Sequence, residues 1–165
     1  MAPSDYRARR LLSTIIWFRG KRNCETPPFR HYWRRTGRLP LQDNRDPTGM
    51  MKILVISDSH GNTVMVQRII DRATPFDRLV HCGDGIADLL RVRLPRGASI
   101  TRVAGNVDRA RGIDIPAVEV VESQGLRILV THGDAFHVKN DYGMIAGAAA
   151  DHGFDGVLFG HTHIK

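Results

Sequence analysis

Five times in this sequence a short apolar run breaks off into a polar cluster. Leu54–Ser57 is followed by Asp58, Ser59 and His60, and Leu79–Cys82 by Gly83 and Asp84. Arg102–Ala104 gives way to Gly105 and Asn106, and Ile128–Thr131 to His132 and Gly133. Val157–Phe159 leads into Gly160, His161, Thr162 and His163. Lys52–Ser57, Arg78–His81, Ser99–Ala104, Leu126–Thr131 and Gly156–Phe159, four to six residues each and bounded by turn residues, read as strands, the apolar ones covered on both faces. Helical spacing appears between them. Asn62 is placed to cap a helix carrying Met65, Val66, Ile69, Ile70 and Ala73 on one face. Ile86–Leu90 reads as a short helix and Asp141–His152 as an Ala-rich one. Ala117–Glu122 and Leu126–Thr131 flank Ser123-Gln124-Gly125, a hairpin turn. Strands alternating with helices predict a layered α/β domain, whose ligand sites lie at the carboxyl ends of its strands.

The polar clusters are then expected to converge on one edge. Their side chains are oxygen and imidazole donors without thiolate. That set suits Mn, Fe, Zn or Ni in a hydrated catalytic site rather than a Cys-rich structural zinc site. Asp58 and His60 are two residues apart, as are His161 and His163, so each pair can face one side of an extended strand end. The count allows one ion on Asp58, His60, Asp84 and His163. It allows a second on Asp84, Asn106, His132 and His161, with Asp84 bridging through its two oxygens. His81 reads as core or as support for a ligand, His137 and His152 as surface, and Cys82 as a small buried thiol. The sequence lacks a phosphate-binding G-x-x-x-x-G-K-[ST] loop, a G-x-G-x-x-G fingerprint and a G-x-S-x-G nucleophile elbow.

Composition matters mainly because it is uneven. The formal charge is +7 over 165 residues. Residues 1–50 hold 11 of the 24 Lys and Arg but 4 of the 17 Asp and Glu, so residues 51–165 are balanced. The first segment contains both Trp, Pro27, Pro28, Pro40 and Pro47, and no sustained periodicity. It is expected to be a disordered basic extension, or a stretch upstream of a true start at Met50 or Met51. The domain proper is expected over residues 51–165. Cys24 and Cys82 allow at most one disulfide, and no apolar run reaches the length of a membrane span.

The clusters D-S-H at 58–60, G-D at 83–84, G-N-V-D at 105–108, H-G-D at 132–134 and G-H-T-H at 160–163 resemble the calcineurin-like metallophosphoesterases. The small YfcE-type phosphodiesterases are the nearest branch. The resemblance runs from Met51 to Lys165. It implies a four-layer αββα sandwich and a two-metal centre, often manganese, on Asp58, His60, Asp84, Asn106, His132, His161 and His163. It also implies hydrolysis of phosphodiesters, with some monoesters, by a hydroxide bridging the two metals and held by Asp84. Asn106 is then a possible hydrogen-bond donor to phosphate. Many relatives carry His after the Asn as a general acid. Here that position is Val107, with Asp108 and His137 as the next proton sources to consider. The family continues past G-H-T-H with strands that complete the second sheet, so an incomplete second sheet is expected. A non-catalytic scaffold of the same fold and an inactive truncated phosphoesterase are the alternative readings. A cytoplasmic protein acting on a small phosphoester is expected, without membrane contact. Any hold on nucleic acid is confined to residues 1–50, and a homo-oligomer is left open.

Overall fold

The computed structural model of the chain describes residues 51–163 and the backbone of residues 14–17. Strand β1 (Thr14–Trp17) is followed by β2 (Ile53–Ile56), helix α1 (Thr63–Ala73) and β3 (Arg78–His81). A 3-10 helix (Ile86–Arg91), β4 (Ser99–Arg102) and α2 (Asn106–Ala110) come next. The hairpin β5 (Val118–Ser123) and β6 (Leu126–Thr131), a short 3-10 turn (Asp134–Phe136), α3 (Gly143–Asp151) and β7 (Gly156–Phe159) complete the order. Two sheets result: a parallel one ordered β2-β3-β4 and a mixed one ordered β1-β7-β6-β5. No helix of the described residues is long and apolar enough to cross a membrane.

The apolar runs explain the layering. In β2, Ile53 and Val55 join Val80, Cys82, Val103, Val121, Ile128, Val130 and Leu158 between the sheets. Leu54 and Ile56 face the other way, onto Val66 and Ile70 of α1 and onto Leu89. In β7, Leu158 lies between the sheets, while Val157 and Phe159 pack under Ile145 and Ala149 of α3. With side chains alternating from face to face, a strand can be apolar throughout only if both faces are covered. The order helix, sheet, sheet, helix is the four-layer αββα sandwich that the family resemblance implies.

Local chemistry sets the boundaries. Asn62 Oδ1 accepts the Met65 N–H at 3.2 Å and opens α1. Thr74 closes it, its hydroxyl bonding Ile70 O at 2.8 Å, and Pro75 follows. The hairpin turn is tighter than the sequence suggests. Ser123 pairs with Leu126, leaving the two-residue turn Gln124-Gly125, both at positive φ (52° and 79°). That is the backbone a right-twisted hairpin prefers. Helix α2 was not expected, because its five residues, NVDRA, carry no apolar stripe. Strand β1 pairs antiparallel with β7, Thr14 opposite Phe159. It falls within the segment expected to be a disordered extension, in that segment's one apolar cluster; the rest of residues 1–50 lies outside the described residues.

Candidate metal centre

Strands β2, β3 and β4 are mutually parallel, and so are β6 and β7. The carboxyl ends of each set therefore share an edge, and hydrogen bonds join the two edges. His161 N–H donates to Asp58 Oδ2 at 3.0 Å, and His132 Nδ1 lies 2.7 Å from Cys82 O. All five sequence clusters thereby meet at one end of the sandwich.

Two groups of donors form there. Asp58, His60 and His163 make one, and Asp84, His132 and His161 the other, with ligand atoms within 4.8 Å of one another in each. In the first, His163 Nε2 lies 3.1 Å and His60 Nε2 3.8 Å from Asp58 Oδ1. In the second, His132 Nε2 lies 3.3 Å from Asp84 Oδ2 and 3.1 Å from His161 Nδ1. The groups meet where Asp58 Oδ1 comes within 4.0 Å of His132 Nε2. Asp84 falls with the second group, one oxygen facing His132 and the other accepting the Val107 N–H at 2.8 Å. Asn106 is exposed and opens α2, one residue before that N–H.

The donor set fits divalent cations, and one tautomer argument shows why. His132 Nδ1 lies 2.7 Å from Cys82 O, a carbonyl that can only accept, so Nδ1 carries the proton. In the neutral ring Nε2 is then a bare lone pair, and it faces a carboxylate oxygen at 3.3 Å. Two acceptors so placed repel each other, and a cation between them removes the repulsion. A His orienting its free nitrogen through a carbonyl on the other is the usual device for presenting a metal ligand.

The backbone is bent to make this arrangement. Of the seven non-glycine residues with positive φ among the described residues, five are candidate ligands: Asp58, His60, Asp84, His161 and His163. Left-handed backbone costs an L-residue about 1–2 kcal/mol, and such residues cluster at functional sites. Space is equally tight. A Cβ on Gly160 would lie 2.6 Å from Asp58 Oδ2, and one on Gly83 2.6 Å from Gly105 N. Only glycine fits at either place.

Behind the ligands lies a layer of buried polar groups. Gly83 N–H donates to His81 Nδ1 at 3.2 Å, so the other ring nitrogen, Nε2, donates to Ser59 Oγ at 3.3 Å. Ser59 in turn donates to Asp88 Oδ2 at 2.5 Å, which also accepts the Gly61 N–H at 2.9 Å. Burial pushes the His81 imidazolium down to about 4, against the pull of Asp108, Asp58 and Asp88, and the ring stays neutral. Burial also lowers His161, reinforced by His132 and Lys139 and opposed by Asp134 and Asp58. Arg109 of α2 pairs with Asp134, tying the loop after β4 to the loop after β6.

Sequence reasoning found the clusters that the structure brings together, but not Asp88 or Asp108 as internal anchors. Asp108, considered as a proton source, is 1% exposed. Its oxygens are occupied by main-chain N–H groups, so it has no path to a substrate. The signal that could have found it is its spacing, three residues after Gly105 at a helix start, where a carboxylate reaches back to free N–H groups. His137 and His152 are exposed as expected, and Cys82 is a buried free thiol.

The model of the calcineurin-like phosphoesterase superfamily domain matches residues 51–165. The probable metallophosphoesterase YsnB of Bacillus subtilis (strain 168) is 35% identical over 115 residues, covering 69% of this chain and 65% of the relative. The probable metallophosphoesterase MJ0623 of Methanocaldococcus jannaschii is 30% identical over 118 residues, covering 70% of this chain and 60% of the relative. The chain thus spans less than two-thirds of the length of both relatives. A crystal structure from Streptococcus pneumoniae TIGR4, of a conserved uncharacterized protein described as a predicted phosphoesterase, aligns with a TM-score of 0.46 at 26% identity, covering 63% of this chain and 57% of that one. With its family model matched from Met51 to Lys165, the chain belongs to the calcineurin-like phosphoesterase superfamily.

Proposed function

We propose that residues 51–165 hold a two-metal centre that hydrolyses phosphodiesters, with manganese as its working ion. One observation carries the reading: six Asp and His side chains from four strand ends form two adjacent donor groups on backbone bent to present them. Asp58, His60 and His163 hold one ion. Asp84, His132 and His161 would hold the other, with Asp58 Oδ1, 4.0 Å from His132 Nε2, lying where the two groups meet. When bound, such a pair supplies Lewis acidity and an activated water. The protein's own part is to fix these donors, to keep His132 in one tautomer through Cys82 O, and to offer Asn106 at the rim as a hydrogen-bond donor to a phosphate oxygen.

Val107 shapes the choice of substrate. A side chain without a proton to give leaves the departing oxygen unassisted, so good leaving groups are favoured. The test is turnover of bis-p-nitrophenyl phosphate and of a dialkyl phosphodiester after loading with Mn2+. The aryl ester should be cleaved and the dialkyl ester should lag by at least about a hundredfold, the lower range of general-acid assistance. Full Mn2+ occupancy without turnover of either ester overturns the reading. Equal rates overturn the role given to Val107.

A further inference from the structure

We propose that Asp108 is a positioning residue for Asp84: its buried carboxylate gathers four main-chain N–H groups and through them sets the Asp84 turn for metal binding. The proposal rests on the reading of Asp84 as a metal ligand. Asp108 is the third residue of α2. Its Oδ2 accepts the N–H of Asp84 at 2.6 Å and of Gly105 at 3.1 Å. Its Oδ1 accepts the N–H of Gly85 at 3.0 Å and of Ile86 at 3.2 Å. Three of these donors belong to the turn after β3 and one to the turn after β4. A single carboxylate thus locks together two turns that adjoin in space but lie about twenty residues apart in sequence.

The grip on Asp84 is double. Asp108 takes its main-chain N–H, and the Val107 N–H takes its side-chain Oδ1 at 2.8 Å. Both come from the first turn of α2, so that turn fixes backbone and carboxylate together. The fixing is needed because Asp84 and Gly85 hold positive φ, 56° and 143°, which a free turn would relax. Four N–H groups aimed at one buried point also specify an anion. Asparagine there presents one oxygen and an amino group, and the amino group faces donors it cannot satisfy. Partners that orient a ligand are typically worth about 10–100-fold in metal affinity.

The experiment compares wild type, Asp108→Asn and Asp77→Asn. Asp77 is the control because its Oδ2 accepts the Lys52 N–H at 2.7 Å at the opposite end of β3, a carboxylate-to-backbone bond remote from the metal centre. Mn2+ titration should give a midpoint about 10–100-fold higher for Asp108→Asn, unchanged for Asp77→Asn, and excess Mn2+ should restore part of the lost turnover. Hydrogen exchange of the wild-type apoprotein provides a readout that needs no variant. The amides of Asp84, Gly85 and Ile86 should be protected like those of β3, although they lie outside any strand. An unshifted midpoint in folded Asp108→Asn overturns the proposal, as does loop-like exchange at those three amides. Wild type that takes up no Mn2+ while those amides stay protected counts instead against the metal centre itself.

Discussion

His81 shows how one side chain couples the site to solution conditions. Its ring is 0% exposed and bonded at both nitrogens. Its folded pKa lies near 4, below the ordinary 6.5, because burial disfavours the charged ring. The unfolded chain therefore takes up a proton before the folded chain does. The corresponding stability is fully present above pH 6.5 and is lost as pH falls toward 4. The span amounts to about 3 kcal/mol. In urea unfolding of the metal-free protein, His81→Gln should cost more near neutral pH than in mild acid, where wild type has already lost its advantage. An equal cost at both would mean that the ring is not neutral when folded. At this scale the sequence was only partly legible. A His or Asp that closes an apolar run announces itself. Asp88 and Asp108 do not, since a buried anchor and an exposed acid are the same letter until the fold shows which N–H groups surround it.

At the scale of elements, β7 is the most heavily committed. It pairs with β1 and β6, carries Phe159 at 0% exposure, and runs straight into Gly160, His161 and His163. The hinge between core and chemistry is Gly160. An added methyl would meet Ser57 and Asp58 Oδ2, the atom that accepts the His161 N–H. Gly160→Ala should therefore displace Asp58 and His161 while leaving the buried strand in place. We expect loss of Mn2+ from both donor groups and a fall in stability within about 1–3 kcal/mol, the usual range for overpacking. Metal analysis with thermal unfolding checks this, and full metal content in the variant refutes it. β3 and β7 were read from the sequence with their observed limits, because their apolar runs stop at turn residues. Helix α2 was missed because it is short and polar, held by Asp108 and by the Arg109 bond to Ala104 O at 3.0 Å rather than by an apolar face.

For the whole molecule, the two sheets are cemented by apolar packing in the middle and by polar groups at the site edge. Two carboxylates and four imidazoles crowd that edge. Cations binding there stabilise the folded form alone, by about 2.7 kcal/mol at a hundred times the dissociation constant. Adding Mn2+ to chelator-treated protein should raise Tm, and His132→Ala should lose much of that rise. A Tm indifferent to Mn2+ would show that the edge holds no ion in the folded state. The balanced charge of residues 51–165 and the basic character of residues 1–50 were plain from composition. The pairing of β1 with β7 was not, because a four-residue strand inside a basic stretch has too little pattern to be recognised.

The left-handed backbone at the ligands has an evolutionary consequence. At His60 and His163, φ is 45° and 54°, and the side chains are 40% and 44% exposed. Neither fills the core, so selection for folding alone would not keep histidine at either place. Glycine there would relieve the backbone, offset in part by the greater freedom it gives the unfolded chain. His60→Gly should leave the metal-free protein as stable as wild type or up to about 1 kcal/mol more so, while abolishing uptake at the first group. Destabilisation of the metal-free protein would contradict this. A descendant of this chain released from metal binding would thus be free to lose these histidines without harm to its fold.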